Sequence, residues 1–319
     1  MVKIAIAGGT GNVAQEIIDV LVATKKHSIL IFTRRDIPVG DKDSAIMWIK
    51  TTYEDVIELA ETLQGVHVVL SFISPHLDQE KAATVQKNLI DASVQAGVKR
   101  FAPSEWASAG LEHLSWYAYK ASTRQYLEDI NKNTKVLEYS LFQPGLFANY
   151  LTRPYKSAKH VKAIDMPFDF FNRRALVRDG GDGDVITLTT VKDLVNVVAR
   201  AVEFEGEWPI EGGIQGAQIS IGRLVALGEE IRGRAFTVDK MKADELERGT
   251  WKSSWVPKID HPSIPPEYVE AASKTIVAGI LLAIGARAFE SGDAWNRLLP
   301  DYDFADAEAF LKQAWDGKP

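Results

Sequence analysis

Apolar and polar positions change rhythm part-way along this chain of 319 residues. Up to about residue 150, short apolar runs alternate with amphipathic stretches, the pattern of βαβ units around a parallel sheet. The runs at residues 2–7, 28–32, 45–49, 67–73, 99–103 and 136–142 are rich in Val, Ile, Leu and Phe. They lack strict alternation, as strands covered on both faces do. Stretches at 12–24, 53–63, 79–96 and 117–130 carry helical periodicity and predict helices between those strands. The third ends in Ala96-Gly97, with glycine just past the helix end where a left-handed residue closes it.

After residue 150 the alternation fades. Pro154, Pro167, Pro209 and the turn Gly180-Gly181-Asp182-Gly183 break the second half into shorter pieces. Helices are predicted at 191–202, with Thr190 as N-cap, and at 224–232 and 267–289. The longest apolar run, residues 276–284, falls well short of the roughly 20 residues a membrane span needs. It reads as a buried core helix, and no membrane partner is expected.

Composition narrows the function classes. A net charge of −6 and a pI near 5.6 argue against a nucleic-acid partner, because phosphate binding needs a basic face. The absence of cysteine removes thiol nucleophiles and Cys-based metal sites and fits a reducing compartment. Strand-like residues follow Met1 directly, so no secretory signal is readable and a cytoplasmic location is expected.

The most informative segment is Gly8-Gly9-Thr10-Gly11-Asn12-Val13-Ala14, between the first strand and the first helix. Gly8 gives the tight turn its backbone freedom, and Gly11 lets the chain approach a pyrophosphate without a Cβ in the way. The helix start at Asn12 and Val13 then offers unpaired N–H groups and partial positive charge to the anion. Ala14 stands in for the third glycine of the fingerprint, a position that serves close packing. The expected fold class is therefore α/β, a Rossmann-type doubly wound parallel sheet with a smaller discontinuous C-terminal substrate lobe. Residues 1–150 would bind the dinucleotide, with about 185–215 packing back on them, and 151–319 would supply most of the substrate lobe.

The second strand decides which dinucleotide. An acidic residue at its end would take the ribose hydroxyl of NAD. Here the strand runs into Thr33-Arg34-Arg35, and a guanidinium can pair with the 2′-phosphate that only NADP carries. Arg34 is the better placed of the two, with Asp36 the rival for a ribose role. NADPH is the expected cofactor.

Residues 89–93, then Ala96-Gly97-Val98-Lys99-Arg100-Phe101 and Pro103-Ser104-Glu105, resemble the NmrA-like and isoflavone-reductase-like branch of atypical short-chain dehydrogenases. The glycine loop, Thr33-Arg34 and Lys120 fall in that family's order, and Leu299-Pro300-Asp301-Tyr302 resembles its closing segment. The resemblance implies a monomeric or homodimeric NADPH-dependent reductase of small aromatic or conjugated compounds: a ketone, enone, iminium or quinone methide. It implies that Lys120 is the catalytic lysine and that Phe72-Ile73-Ser74 and Ser104 lie along the cofactor. It further implies that Pro144-Gly145 and Phe147 wall the nicotinamide side. Two features depart from the family: Trp106 follows Ser104-Glu105 where Phe-Gly is common, and Tyr117 stands three residues before Lys120 rather than four. Because the branch also contains regulators, a non-enzymatic NADP(H) sensor with a protein partner is the alternative.

Lys120, near the start of a helix and partly desolvated, is expected to have a lowered pKa and to assist proton transfer or steady an oxyanion, with hydrogen bonding to the cofactor's ribose hydroxyls as the alternative and compatible role. Arg124, one turn further on, is expected on a solvated face or paired with Glu128. The aromatic-rich set around the proposed nicotinamide site supplies candidates for a substrate pocket: Trp106, Tyr119, Phe147, Tyr150 and Phe168, with His113 as a possible donor. Asp179, Asp182 and Asp184 lack the later bidentate Glu of a calcium loop, so a polar hairpin turn is expected there and no metal.

Overall fold

Six apolar runs pair side by side in one direction. The computed structural model describes residues 1–37, 45–74, 78–259 and 264–319. Strands β1 (Val2–Ala7), β2 (His27–Thr33), β3 (Ile46–Lys50), β4 (Val68–Ser71), β5 (Arg100–Ala102) and β6 (Glu138–Tyr139) form a sheet ordered β3-β2-β1-β4-β5-β6. Every neighbouring pair is parallel. The crossovers carry α1 (Asn12–Ala23), α2 (Val56–Thr62), α3 (Gln79–Gln95) and α4 (Ala118–Asn131). This is the Rossmann order, in which the chain works outward from β1 and then restarts on its other side at β4. Ligands of such sheets bind beyond the strand ends where the order reverses. Here that is the gap after Ala7 and Ser71, which face each other in register.

The apolar runs are buried as a core that includes Leu30, Phe32, Leu89, Phe101 and Leu127. Burying each such side chain stabilises by about 1.5–3 kcal/mol. Several elements differ from their predicted limits, some for local reasons. The predicted helix 53–63 starts at Val56, because Asp55 caps it by accepting from the amides of Ile57 and Glu58, and Tyr53 is left-handed at φ 64°. The predicted strand 136–142 divides at Ser140. Its amide still bonds to Phe101 at 3.2 Å, but the Leu141 amide turns away to Ile210 at 2.8 Å, so β7 (Leu141–Gln143) leaves the sheet and pairs with β12 (Glu211–Gly213).

The chain forms two compact units. The first comprises Met1–Glu105, Trp116–Phe142 and Val195–Gly212. Its returning segment is tied to the sheet by Arg100, which pairs with Glu138 at 2.8 Å and donates to the carbonyls of Phe204 and Gly206 at 2.5 Å.

The second unit comprises Trp106–Ser115, Gln143–Leu194 and Gly213–Pro319. It contains two three-stranded sheets, one of β8 (Leu146–Phe147), β11 (Val185–Thr189) and β13 (Ala217–Ser220), the other of β9 (Phe168–Asp169), β10 (Arg174–Arg178) and β14 (Thr237–Met241). Helix α5 (Val191–Glu203) begins as expected, with Thr190 Oγ1 accepting from the Asp193 amide at 3.0 Å. The predicted hairpin at 179–184 is not one. Strands β10 and β11 on either side belong to different sheets, and the turn is held by Arg178–Asp184 and Lys240–Asp182 ion pairs. Among the described residues, no group of three or more His, Cys, Asp or Glu side chains is placed to hold a metal.

Helices α6 (Ile221–Arg232), α7 (Ala243–Glu247), α8 (Val269–Gly285), α9 (Ala294–Leu298) and α10 (Ala307–Trp315) complete this unit. Helix α6 starts three residues before its predicted limit because Ser220 caps it. Among the described residues, Pro266–Gly285 is the one helical stretch long and apolar enough to cross a membrane. Its residues from Val277 to Ile284 are buried in the unit's own core, as expected of a core helix.

Candidate active site

The turn after β1 is built around three glycines with three different duties. Gly8 is left-handed at φ +75°, and a Cβ there would lie 2.9 Å from the Phe72 carbonyl carbon and oxygen just beyond β4. The two ends of the switch point therefore touch backbone to backbone. Gly9 packs against β2, where a Cβ would come within 2.2 Å of the Ile31 Cγ2 methyl. Gly11 is the N-cap of α1, extended at φ −74° and ψ 152°, and contributes no side-chain cap. The amides of Asn12, Val13 and Ala14 have no partner among the described residues, and no acidic residue sits in the first turn. An α-helix of 12 residues thus presents bare N–H groups and its positive end beside a turn too tightly packed to admit a Cβ at Gly8 or Gly9. Thr10 lies half-buried at the tip of this loop, and the backbone of Phe72 and Ile73, followed by Ser74, leaves β4 beside Gly8.

Sequence reasoning missed the residue that holds this turn. Tyr53 is buried, and its hydroxyl accepts from the Gly8 amide at 3.1 Å, alongside the Phe32 carbonyl at 3.2 Å. Its own carbonyl accepts from Asn88 at 3.0 Å, and burial pushes its phenol up to about 12. Nothing near Tyr53 in sequence marks a hydroxyl that reaches back 45 residues.

At the end of β2, Thr33 is buried and its hydroxyl accepts from the Arg35 amide at 3.0 Å, which turns the chain outward. Arg34 and Arg35 are exposed. The Arg34 guanidinium has no hydrogen bond or ion pair with a described residue. Its rival Asp36 is engaged by Lys50 at 2.6 Å, which holds the carboxyl below its ordinary range.

Beyond β5 the chain tightens at Pro103, whose carbonyl accepts from the Glu105 amide at 2.8 Å. Lys120, third residue of α4, lies over this turn and is 2% exposed. Its Nζ donates to the Glu105 carbonyl at 2.6 Å and stands 3.4 Å from the centre of the Tyr117 ring. Desolvation lowers its pKa to about 8, with Glu105 pulling up and Arg124 pushing down. The lowered value expected from sequence is therefore found, with burial as its main cause. Tyr117 lacks the spacing of the usual tyrosine–lysine pair but supplies a ring face instead of a proton, its phenol being pushed up to about 12 by burial. Tyr119 is buried, its hydroxyl reaching the Ser104 carbonyl at 3.4 Å.

Arg124 is neither solvated nor matched to Glu128 as expected. It makes a two-pronged pair with Glu105, at 3.0 Å from Nε and 2.6 Å from Nη2. The carboxylate is 1% exposed. A fully buried charge outcompetes an exposed helical neighbour because it has no water to fall back on.

The second unit holds the other residues singled out from sequence. Gly145, after Pro144, is left-handed at φ +71°, and a Cβ there would meet the Thr187 carbonyl oxygen at 2.4 Å. Phe147 pairs with Thr189 in the β8–β11 ladder and packs edge-on against Tyr150 at 5.6 Å. Trp106 is buried with φ 50°, an unusual backbone for a bulky residue. His113 and Phe168 are not brought together. His113 lines a cavity of about 840 Å³ with Trp251, Lys274 and Leu282. Tyr150 and Phe168 line another of about 260 Å³ with Arg153 and Met166.

Comparison with known proteins identifies the lineage of this arrangement. A model of the NmrA-like family matches residues 2–207, which includes the glycine turn, Arg34 and Lys120. The chain belongs to the NmrA-like family. Oxidoreductase BOA1 of Botryotinia fuckeliana is 27% identical over 241 residues, 74% of this chain and 78% of that protein. Among solved structures, the NADPH-dependent quinone oxidoreductase QOR2 of Escherichia coli, complexed with NADPH, superposes with TM-score 0.69. Identity to it is 19%, over 98% of this NmrA-like chain and all of that one. An isoflavone reductase structure superposes with TM-score 0.66 at 17% identity, covering 98% of each chain. The two structural likenesses establish the shared fold.

Proposed function

We propose that this NmrA-like protein is an NADPH-dependent reductase of a small aromatic or conjugated molecule such as a ketone, enone, iminium or quinone methide. The observation that carries the reading is the pairing, in one unit, of a glycine turn at Gly8, Gly9 and Gly11 that leads into open helix amides with a desolvated Lys120. The fold shared with a quinone oxidoreductase in complex with NADPH, and a relative named as an oxidoreductase, support it.

The residues present fit the cofactor. The open amides of α1 can bind a pyrophosphate, Arg34, which has no hydrogen bond or ion pair among the described residues, and its neighbour Arg35 can take a 2′-phosphate, and Thr33 holds their turn. Phe72-Ile73-Ser74 and Ser104 offer backbone along the same strand ends. NADPH, when bound, supplies the hydride. The protein supplies position and charge. Lys120 can give its Nζ proton to an oxygen gaining charge, or remain an ammonium beside it, and a poise near pH 8 suits either task.

Lys120 favours an enzyme over an NADP(H)-sensing regulator, because a desolvated amine with a lowered proton affinity suits proton transfer, which dinucleotide binding alone does not call for. The test is NADPH oxidation against a panel of aromatic ketones, enones, iminiums and quinones. Lys120→Met should retain NADPH affinity within a few-fold and lose turnover. A Lys120→Met variant as active as the parent retires the lysine, and a panel without turnover but with a captured protein partner favours the sensor.

A further inference from the structure

Glu105 has no part in the chemistry above, yet it brings a full charge into a dry place. A buried ion pair gains little over an apolar pair of the same volume, so stability is a poor reason for Glu105 and Arg124 to be there. Both are bound up with the lysine. Arg124 lies one helical turn along α4 from Lys120, and the main-chain carbonyl of Glu105 accepts from Lys120 Nζ at 2.6 Å. A two-pronged guanidinium contact fixes the plane of a carboxylate as well as its distance. Here it anchors the residue whose carbonyl the amine leans on.

We propose that Glu105 and Arg124 are positioning residues for Lys120: their ion pair fixes the Glu105 carbonyl and gives the amine one negative and one positive neighbour whose effects offset each other. The inference rests on Lys120 being the working amine of the proposed reductase. Among the described residues, the charged and titratable groups facing that amine are Glu105 beyond β5, Arg124 on α4 and the ring of Tyr117. Glu105 raises the proton affinity of the amine and Arg124 lowers it. Loss of one partner should therefore move the amine in a direction set by the charge left behind.

The experiment reads the amine itself, so its outcome does not depend on finding a substrate. The full chain is labelled with ¹³Cε-lysine, the Lys120 resonance is assigned by its loss in Lys120→Met, and its shift is followed from about pH 6 to 11. The parent should titrate near pH 8. Arg124→Gln should tighten proton binding about tenfold, moving the midpoint up by roughly one pH unit, and Glu105→Gln should move it down by a similar amount. Glu105→Gln combined with Arg124→Gln should return it close to the parent, and Arg124→Lys should leave it nearly unmoved. Where one single variant fails to fold, the other single and the double variant still decide, since a rise or fall that the second substitution reverses is the expected result. General loosening would let water in and raise every midpoint toward the ordinary lysine value, so a rise in Glu105→Gln, or no movement in either single variant, overturns the proposal. An inactive panel would instead remove the reductase reading, and an active Lys120→Met would remove the lysine's part in it; either leaves this titration standing.

Discussion

A lysine buried for chemistry should cost the fold something, and the cost at Lys120 can be worked out. Its ordinary value of 10.5 falls to about 8 in the folded chain. That gap, roughly 2.5 pH units at 1.36 kcal/mol each, comes to about 3 kcal/mol of lost stability wherever the unfolded chain holds the proton and the folded one must also take it. Below about pH 8 both states are protonated and the folded state bears the whole cost. Between about pH 8 and 10.5 the unfolded chain binds more protons, so stability rises with pH, and above that range the cost is gone. Lys120→Met removes the amine but leaves the Glu105 carbonyl without its donor, a loss of about 1–2 kcal/mol. The variant should therefore be more stable than the parent by about 1–2 kcal/mol at pH 7, and the advantage should vanish or reverse by about pH 10. Urea unfolding of both proteins at the two pH values measures it, and other titrating groups cancel in the difference. A variant less stable than the parent by the same amount at both pH values would refute the reasoning, because the lysine would then be a structural contact with an ordinary proton affinity.

The glycine turn gives two further expectations. Gly9→Ala places a methyl 2.2 Å from Ile31 Cγ2 and should cost about 1–3 kcal/mol in thermal or denaturant unfolding. Part of that loss should return when Ile31→Ala is added, and simple additivity of the two substitutions would contradict the packing role. Tyr53→Phe removes one of the two acceptors of the Gly8 amide and should weaken NADPH and NADH by the same factor, about fivefold for one hydrogen bond worth roughly 1 kcal/mol. Unequal losses in calorimetric titrations would place the hydroxyl near the ribose instead.

How much of this was legible in the sequence follows from how far each signal travels along the chain. β1, the glycine turn and α1 stand out because strand period, turn and helix period follow one another within 23 residues. Lys120 was found through a family resemblance, and the dryness of its surroundings could be expected only in direction. Glu105 and Tyr53 were not legible as parts of the site, since their partners lie 19 and 45 residues away and neither has a local motif. The partner of Arg124 is hidden for the same reason: periodicity offers Glu128 one turn away, whereas only the fold brings up a buried carboxylate. The duty of Gly9 became visible only when Ile31 was placed above it. In the second unit, β8 and β9 are two residues each, too short to leave a period. The turn at 179–184 has the composition of a hairpin, and tertiary pairing alone sends its two strands to different sheets.

The central claim is that a bare turn and a helix end hold the diphosphate while Arg34 selects the phosphorylated ribose. Calorimetric titration of the parent and of Arg34→Ala with NADPH and NADH tests it most directly. The account predicts that the parent binds NADPH at least about tenfold more tightly than NADH, and that Arg34→Ala removes most of that preference while leaving NADH affinity nearly unchanged. No heat with either dinucleotide, or a preference that survives Arg34→Ala intact, would contradict it.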